Sequence, residues 1–289
     1  FKQTNSTLAQ LNYKKTGSMQ DILWILSHII AILVAVMLAF IIVFVFVRGI
    51  PNITADFLFG ESANAHPTLS PAFASTGMLI LMALLVALPL GIGAAIFLNE
   101  YAKRGSKLVK LIRLFIDTLA GIPSIVFGLF GAIFFGTYCG MGYSLINGSL
   151  TLALIILPTI IRSTEQSLSE VPDSMREASY ALGAGKLKTI FVVVLPQAIS
   201  GIVTSIILSI GRIVGESAAL IYTAGSVVNM PTGYDSAGSS FAVMMWKFMS
   251  EGLDTELCYA TAAILMILVI ILNILVTLSQ KFFQRRKAK

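Results

Sequence analysis

The sequence predicts an all-α polytopic membrane protein with six transmembrane helices, and three observations carry that prediction. Of 289 residues, 56% are apolar and only 12% charged, against roughly 25% charged in soluble domains. The apolar residues gather into stretches near the length of about 20 residues that a spanning helix needs. The charges fall mostly in the short segments between those stretches. A soluble fold cannot hide this much apolar surface, so lipid is the solvent for most of the chain. An extracellular disulfide scaffold, a disordered regulator and a nucleic-acid binder are thereby excluded. The net charge of +6 does not revive the last, because the basic residues sit in short loops rather than on one face.

The expected spans are residues 22–47, 71–98, 114–138, 144–161, 197–222 and 257–279. They form a transmembrane domain over 22–280, flanked by an N-terminal segment, 1–21, and a basic tail, 281–289. The first span is too long for a signal-peptide core and no small-residue cleavage site follows it, so it is expected to be retained. The chain begins at Phe1, which an upstream initiator methionine or a trimmed leader would explain. The fourth span is short and contains Asn147 and Gly148; its Pro158 is tolerable because neighbouring helices can satisfy the freed carbonyl.

Loop charge sets the orientation. Lys2, Lys14 and Lys15, then Lys103, Arg104, Lys107, Lys110 and Arg113, fall on one side. Arg162, Arg176, Lys186 and Lys188, then Lys281, Arg285, Arg286, Lys287 and Lys289, fall on the same side, making 17 of the 20 basic residues. Arg48 and Lys247 lie opposite and Arg212 lies within a span. Both termini of this multi-pass chain are therefore expected on the cytoplasmic side. Cys139 and Cys258 fall near the outer ends of helices and read as small apolar residues, although their pairing is not decided by the sequence.

Three features could carry function. The first is the loop 162–196, mixed in charge where its surroundings are apolar. Val171-Pro172-Asp173 reads as a helix start, with proline in the first turn and an acid at the positive end of the dipole. Met175, Ala178, Ser179 and Leu182 then share one face, and Gly183 is a natural stop. Such a short amphipathic helix suits either docking in a partner's groove or lying on the membrane surface. A second short segment, 186–195, ends at Pro196.

The second feature is the fifth span, where Arg212 and Glu216 stand four apart in apolar sequence. A charge at mid-bilayer costs about 2.5–3.5 kcal/mol on insertion scales. With a helix starting at Gln197, Arg212 is expected about 22 Å along it. Gly201, Ser205, Ser209, Arg212 and Glu216 form a stripe of small, polar and charged groups. It faces either a neighbouring helix, with Arg212 and Glu216 as a self-neutralising pair, or a water-filled path. An arginine fork suits a tetrahedral oxyanion, and Glu216 could hold Arg212 when no anion is present.

The third feature is Asp117-Thr118-Leu119-Ala120-Gly121-Ile122-Pro123-Ser124 and its continuation through Gly128 in the third span. Arg113 and Asp117 are spaced as an i, i+4 pair. Pro123 predicts a kink, and Gly121, Gly128 and Gly131, with Gly211 and Gly215 of the fifth span, would permit close helix approach.

Glu177-Ala178-Ser179, then three residues, Gly183, nine residues and Val193-Val194-Leu195-Pro196 resembles the EAA loop of ABC-type importer permeases, with Ser179 in place of an alanine and Val193 in place of isoleucine. The third-span string and Gly211-Arg212-Ile213-Val214-Gly215-Glu216-Ser217-Ala218 resemble, more narrowly, phosphate importer permeases of the PstA type. The resemblance covers about residues 72–280. It implies a type I-like importer fold with a coupling helix that seats on an ATPase through Met175, Glu177, Ala178, Ser179, Leu182 and Gly183. It further implies a PstC-type second permease, two PstB-type ATPase subunits carrying the ATP and magnesium, and a PstS-type phosphate-binding protein outside. The family's path arginine maps onto Arg212 and its nearby acid onto Glu216, and no cofactor is expected on this chain.

Gly183-Ala184-Gly185-Lys186 is not a phosphate loop: Tyr180 and Leu187 stand where glycine and a hydroxyl residue are required. His28 and His66 have no ligand-type neighbour at helical spacing. The outer loop 223–256 is rich in glycine and serine, and its Met230-Pro231-Thr232-Gly233-Tyr234 is expected either in the pore mouth or against the binding protein. Competing functions are an importer for another oxyanion (molybdate, sulfate or phosphonate), a stand-alone secondary transporter or channel, and an intramembrane enzyme. No half-chain repeat supports the transporter, and no nucleophile or metal set supports the enzyme.

Overall fold

The computed structural model describes residues 2–60, 68–103, 105–252 and 255–287, with side chains from Gln20 to Phe282. His66 and Arg104 lie outside the described residues. All regular structure among the described residues is helical, and no strand occurs. Five helices are long and apolar enough to cross a membrane, and a bent pair supplies a sixth. They are α1 (Lys2–Gly49), α2 (Ser70–Tyr101), the pair α3 (Lys107–Gly121) and α4 (Ser124–Tyr138), α5 (Leu145–Ser169), and, beyond the short α6 (Asp173–Ala181), α7 (Lys186–Val214). The chain closes with α8 (Ala218–Thr223), α9 (Phe241–Ser250) and α10 (Thr255–Lys287).

α5 is the centre of the bundle: 67% of its most apolar window is buried, against 28% for α2 and α7. What lets its neighbours approach is small side chains. On α2 the buried face runs Ser75, Leu79, Ala83, Ala87, Gly91 and Ala95, one residue in every four. A methyl group at Gly91 would stand 2.6 Å from Ile160 Cγ2 on α5, so the backbones meet there at a distance only glycine permits. Pro89 and Pro158 both lie inside continuous helices.

The third span is not a kinked helix but a broken one, and α3 and α4 meet at 97°. Ile122 takes φ −72°, ψ 131° and Pro123 φ −60°, ψ 140°, both extended. Proline forces its predecessor out of the helical region, and with two extended residues in succession the helix stops and restarts. α3 consequently leaves the core, burying only Val109 and Ile116. Arg113 and Asp117 do not pair with each other as the spacing predicts. Arg113 reaches Glu165 of α5 at 2.6 Å, and Asp117 pairs with Arg162 one turn earlier on α5. The two ion pairs pin the detached half-helix to the end of the central one.

α7 is one helix from Lys186 through a π turn at Ile190–Val194 to Val214. The segment 186–195 is therefore the first part of the fifth span, not a separate element, and the span ends at Val214 rather than 222. α8 follows after a break at Gly215–Ser217 and packs on α4. A methyl group on Gly128 would lie 2.7 Å from the Ala219 Cα. Gly121 and Gly211 make no such approach, and at Gly215 an added methyl would meet only its own helix.

The loop that follows α8 is folded over its described residues. Backbone N–H groups of Leu145 and Ile146 donate to the carbonyls of Ser236 and Tyr234 at 2.9 and 2.8 Å. These bonds satisfy orphan donors at the start of α5. α9, unforeseen in the sequence, buries Phe241 and Phe248 against α10 and α2. Met230 remains exposed. Cys139 and Cys258 are free thiols. α1 touches α10 near its C-terminal end, where the Phe44 and Tyr259 rings meet edge to face at 5.7 Å. The apolar window of its span buries nothing.

Candidate functional site

Two regions hold the residues singled out in the sequence. The first is α6. Pro172 precedes it and Asp173 opens it, placing an acid at the positive end of the helix dipole. Its end is a Schellman turn: Gly183 adopts φ +81°, its N–H donates to Tyr180 O at 2.9 Å, and that of Ala184 to Ser179 O at 3.1 Å. Only glycine takes this backbone without strain.

The expected face divides in two. Met175, Ala178 and Leu182, spaced three and four apart, point outward, and Leu182 is 89% exposed. Glu177 is exposed beside them. Ser179 instead turns inward, 9% exposed, and shares a 2.8 Å hydrogen bond with Thr189 at the start of α7. Serine rather than alanine at this position is thus used as a bolt to the next helix, not as contact surface.

Sequence reasoning passed over Arg176, the best-connected side chain of the region. Its guanidinium donates to Glu100 Oε1 (2.8 and 3.2 Å), to the carbonyls of Leu168 (2.9 Å) and Val171 (2.6 Å), and to Asp173 Oδ1 (3.2 Å). The available signal was a lone acid, Glu100, directly at the end of an apolar span.

The second region is α7. Its buried face comprises Ala198, Ile202, Ser205, Ser209 and Ile213. Ser205 and Ser209 are wholly buried, and Ser205 Oγ donates to Ile202 O at 2.8 Å. At about 100° per residue, Gly201, Ser205 and Ser209 all lie within about 60° of Arg212, but neighbouring helices cover this side of α7 at the two serines and leave it open at Arg212. Toward the start of α7, Gln197, Ser200, Gly201 and Thr204 open on a polar cleft of about 350 Å³ between α5, α7 and α10, lined also by Gln166, Ser167, Gln280 and one carboxylate, Glu170. A methyl group on Gly201 would collide with the Ser167 side chain, so the glycine brings α5 and α7 together at the cleft.

Because α7 begins at Lys186, Arg212 stands about 39 Å along it at 1.5 Å per residue, close to its far end. Arg212 is exposed and has no hydrogen-bond or ion-pair partner among the described residues. The expected Arg212–Glu216 pair is absent for a structural reason: the helix ends between them. Glu216 Oε1 instead accepts the backbone N–H of Ala219 at 3.1 Å and so opens α8.

Comparison with known proteins identifies the kind of machine. The sequence profile of the family described as binding-protein-dependent transport system inner membrane component matches residues 87–289. The chain is 31% identical over 248 residues to the probable ABC transporter permease protein YqgI of Bacillus subtilis (strain 168), covering 80% of this chain and 84% of that one. It is 40% identical over 210 residues to the phosphate transport system permease protein PstA of Yersinia pestis, covering 72% and 70%. Its fold is similar to that of the inward-facing MetNI methionine ABC transporter, with a TM-score of 0.57 at 20% identity over 75% of this chain and 93% of that one. It is similar also to a bacterial ABC transporter for the polysaccharide alginate, with a TM-score of 0.54 at 14% identity over 78% and 80%. Kinship with ABC transporter permeases implies a separate ATPase and a substrate-binding protein as partners, and a subunit that is not itself an enzyme. The chain is a multi-pass inner-membrane protein and belongs to the family of binding-protein-dependent transport system inner membrane components.

Proposed function

We propose that this chain is one of two permease subunits of an ATP-driven inorganic phosphate importer. The observation that carries the reading is Arg212. An arginine in an apolar helix, with no partner among the described residues, is stable only against water, a ligand or a second subunit. Its planar fork suits a phosphate oxyanion. Kinship with PstA at 40% identity supports phosphate in particular. The neutral amides and hydroxyls below Arg212 on the same face of α7 would then pass the anion inward without trapping it. The polar cleft is the inner vestibule of that route.

In this reading the basic end of the bundle and both termini face the cytoplasm, following the loop-charge rule. α6 offers Met175, Ala178 and Leu182 to a PstB-type ATPase, which holds ATP and magnesium. A PstC-type permease covers the apolar flank of α1 and the open side of α7, and a PstS-type protein delivers phosphate outside.

The test is uptake of labelled phosphate into vesicles carrying the assembled complex. The reading expects uptake that requires ATP and is competed by unlabelled phosphate but not by sulfate or molybdate. Uptake competed better by either of those anions would assign the machine to a different oxyanion. Uptake that persists without ATP would make it a stand-alone transporter.

A further inference from the structure

α6 is nine residues long and buries only Ser179. Isolated helices of this length are marginal in water, and a single buried side chain holds α6 only at its end. Arg176 supplies what packing does not. Its two bonds to Glu100 reach the end of α2, those to Leu168 O and Val171 O close the end of α5, and the bond to Asp173 holds the first turn of α6 itself. The carboxylate is equally prepared. Glu100 sits in the π turn that ends α2, its side chain is 5% exposed, and Asn99 Nδ2 donates to the same Oε1 at 3.1 Å. At the other end of α6, Ser179 is tied to Thr189 of α7.

The two carbonyl contacts already tie Arg176 to the α5–α6 turn. The bond to a buried acid from a span 76 residues away is additional, and a buried ion pair is costly unless it is fully hydrogen-bonded. We propose that Arg176, acting through Glu100, is the positioning residue that couples displacement of α6 to α2. Force delivered on the outer face of α6 then moves the second span together with α7, rather than turning α6 in place. The inference rests on α6 being the ATPase-docking helix and goes beyond it, because it specifies how docking reaches the spans.

The test uses the complete transporter in liposomes with Arg176→Lys, which keeps the charge but loses the planar fork, and Glu100→Gln, which keeps the shape but loses the charge. Three quantities are read: ATPase retained on the complex, hydrolysis stimulated by loaded binding protein, and phosphate moved per ATP hydrolysed. The expected result is retained ATPase and continued hydrolysis, with phosphate per ATP lowered at least about fivefold in both variants, the lower end of energetic couplings between sites. A wild-type ratio in both variants would overturn the proposal. So would a lower yield of complex whose assembled fraction keeps the wild-type ratio, since that outcome makes the pair purely structural. A wild-type complex that retains no ATPase would overturn the docking reading and this proposal with it.

Discussion

Leu182→Ala separates docking from folding. Leu182 is 89% exposed at the end of α6, so truncating it removes almost no contact within the chain. Surface changes of this kind usually shift stability by less than about 0.5 kcal/mol. If an ATPase covers the side chain, the same truncation forfeits most of the burial of one leucine, about 1.5–3 kcal/mol. At 1.4 kcal/mol per tenfold, the affinity of ATPase for permease should fall roughly 10- to 100-fold. Titrating purified ATPase onto the permease pair in nanodiscs measures the affinity, and thermal unfolding of the same sample measures the fold. Wild-type affinity in the variant would refute the assignment of this face. So would an affinity loss accompanied by an equal loss of stability.

Ser179→Ala should behave oppositely: its 2.8 Å bond to Thr189 is internal, so the same titration should show unchanged affinity, with stability lower by about 0.5–1.5 kcal/mol. Gly128→Ala places a methyl group 2.7 Å from the Ala219 backbone. Overpacking of this kind costs about 1–3 kcal/mol, so α4 and α8 should separate and the melting temperature should fall. Gly121→Ala, with nothing within 4 Å of the new methyl, should leave the melting temperature unchanged or raise it. Glu165→Gln should weaken the hold on α3, and hydrogen exchange should rise over α3 more than over α5, because Arg113–Glu165 is one of two ion pairs that pin it.

Much of the architecture was legible because lipid imposes a simple rule: long apolar runs must be helices, and charges must gather between them. The errors share one cause, since a sequence shows spacing along one helix but not where that helix stops or which neighbour it meets. Arg113 with Asp117 and Arg212 with Glu216 both have ideal i, i+4 spacing, yet neither pair forms. In the first case α5 supplies closer opposite charges, and in the second the helix ends at Val214. On α7 the spacing places Ser205 and Ser209 close in phase to Arg212, but it does not show that neighbouring helices bury both serines and leave Arg212 exposed. The proline of the third span was visible, whereas a 97° break in place of a kink depends on Ile122 joining it in extended backbone. Arg176 was legible only as a charge, because its partner Glu100 lies 76 residues away.

The most direct test of the central claim is phosphate uptake at varied phosphate concentration by assembled complexes carrying Arg212→Ala, with Ser209→Ala as the control on the buried face. Arg212 within the path predicts a complex that still assembles and hydrolyses ATP while transport is lost, with Ser209→Ala transporting as wild type. Normal transport by Arg212→Ala would contradict it and remove Arg212 from the route of the anion.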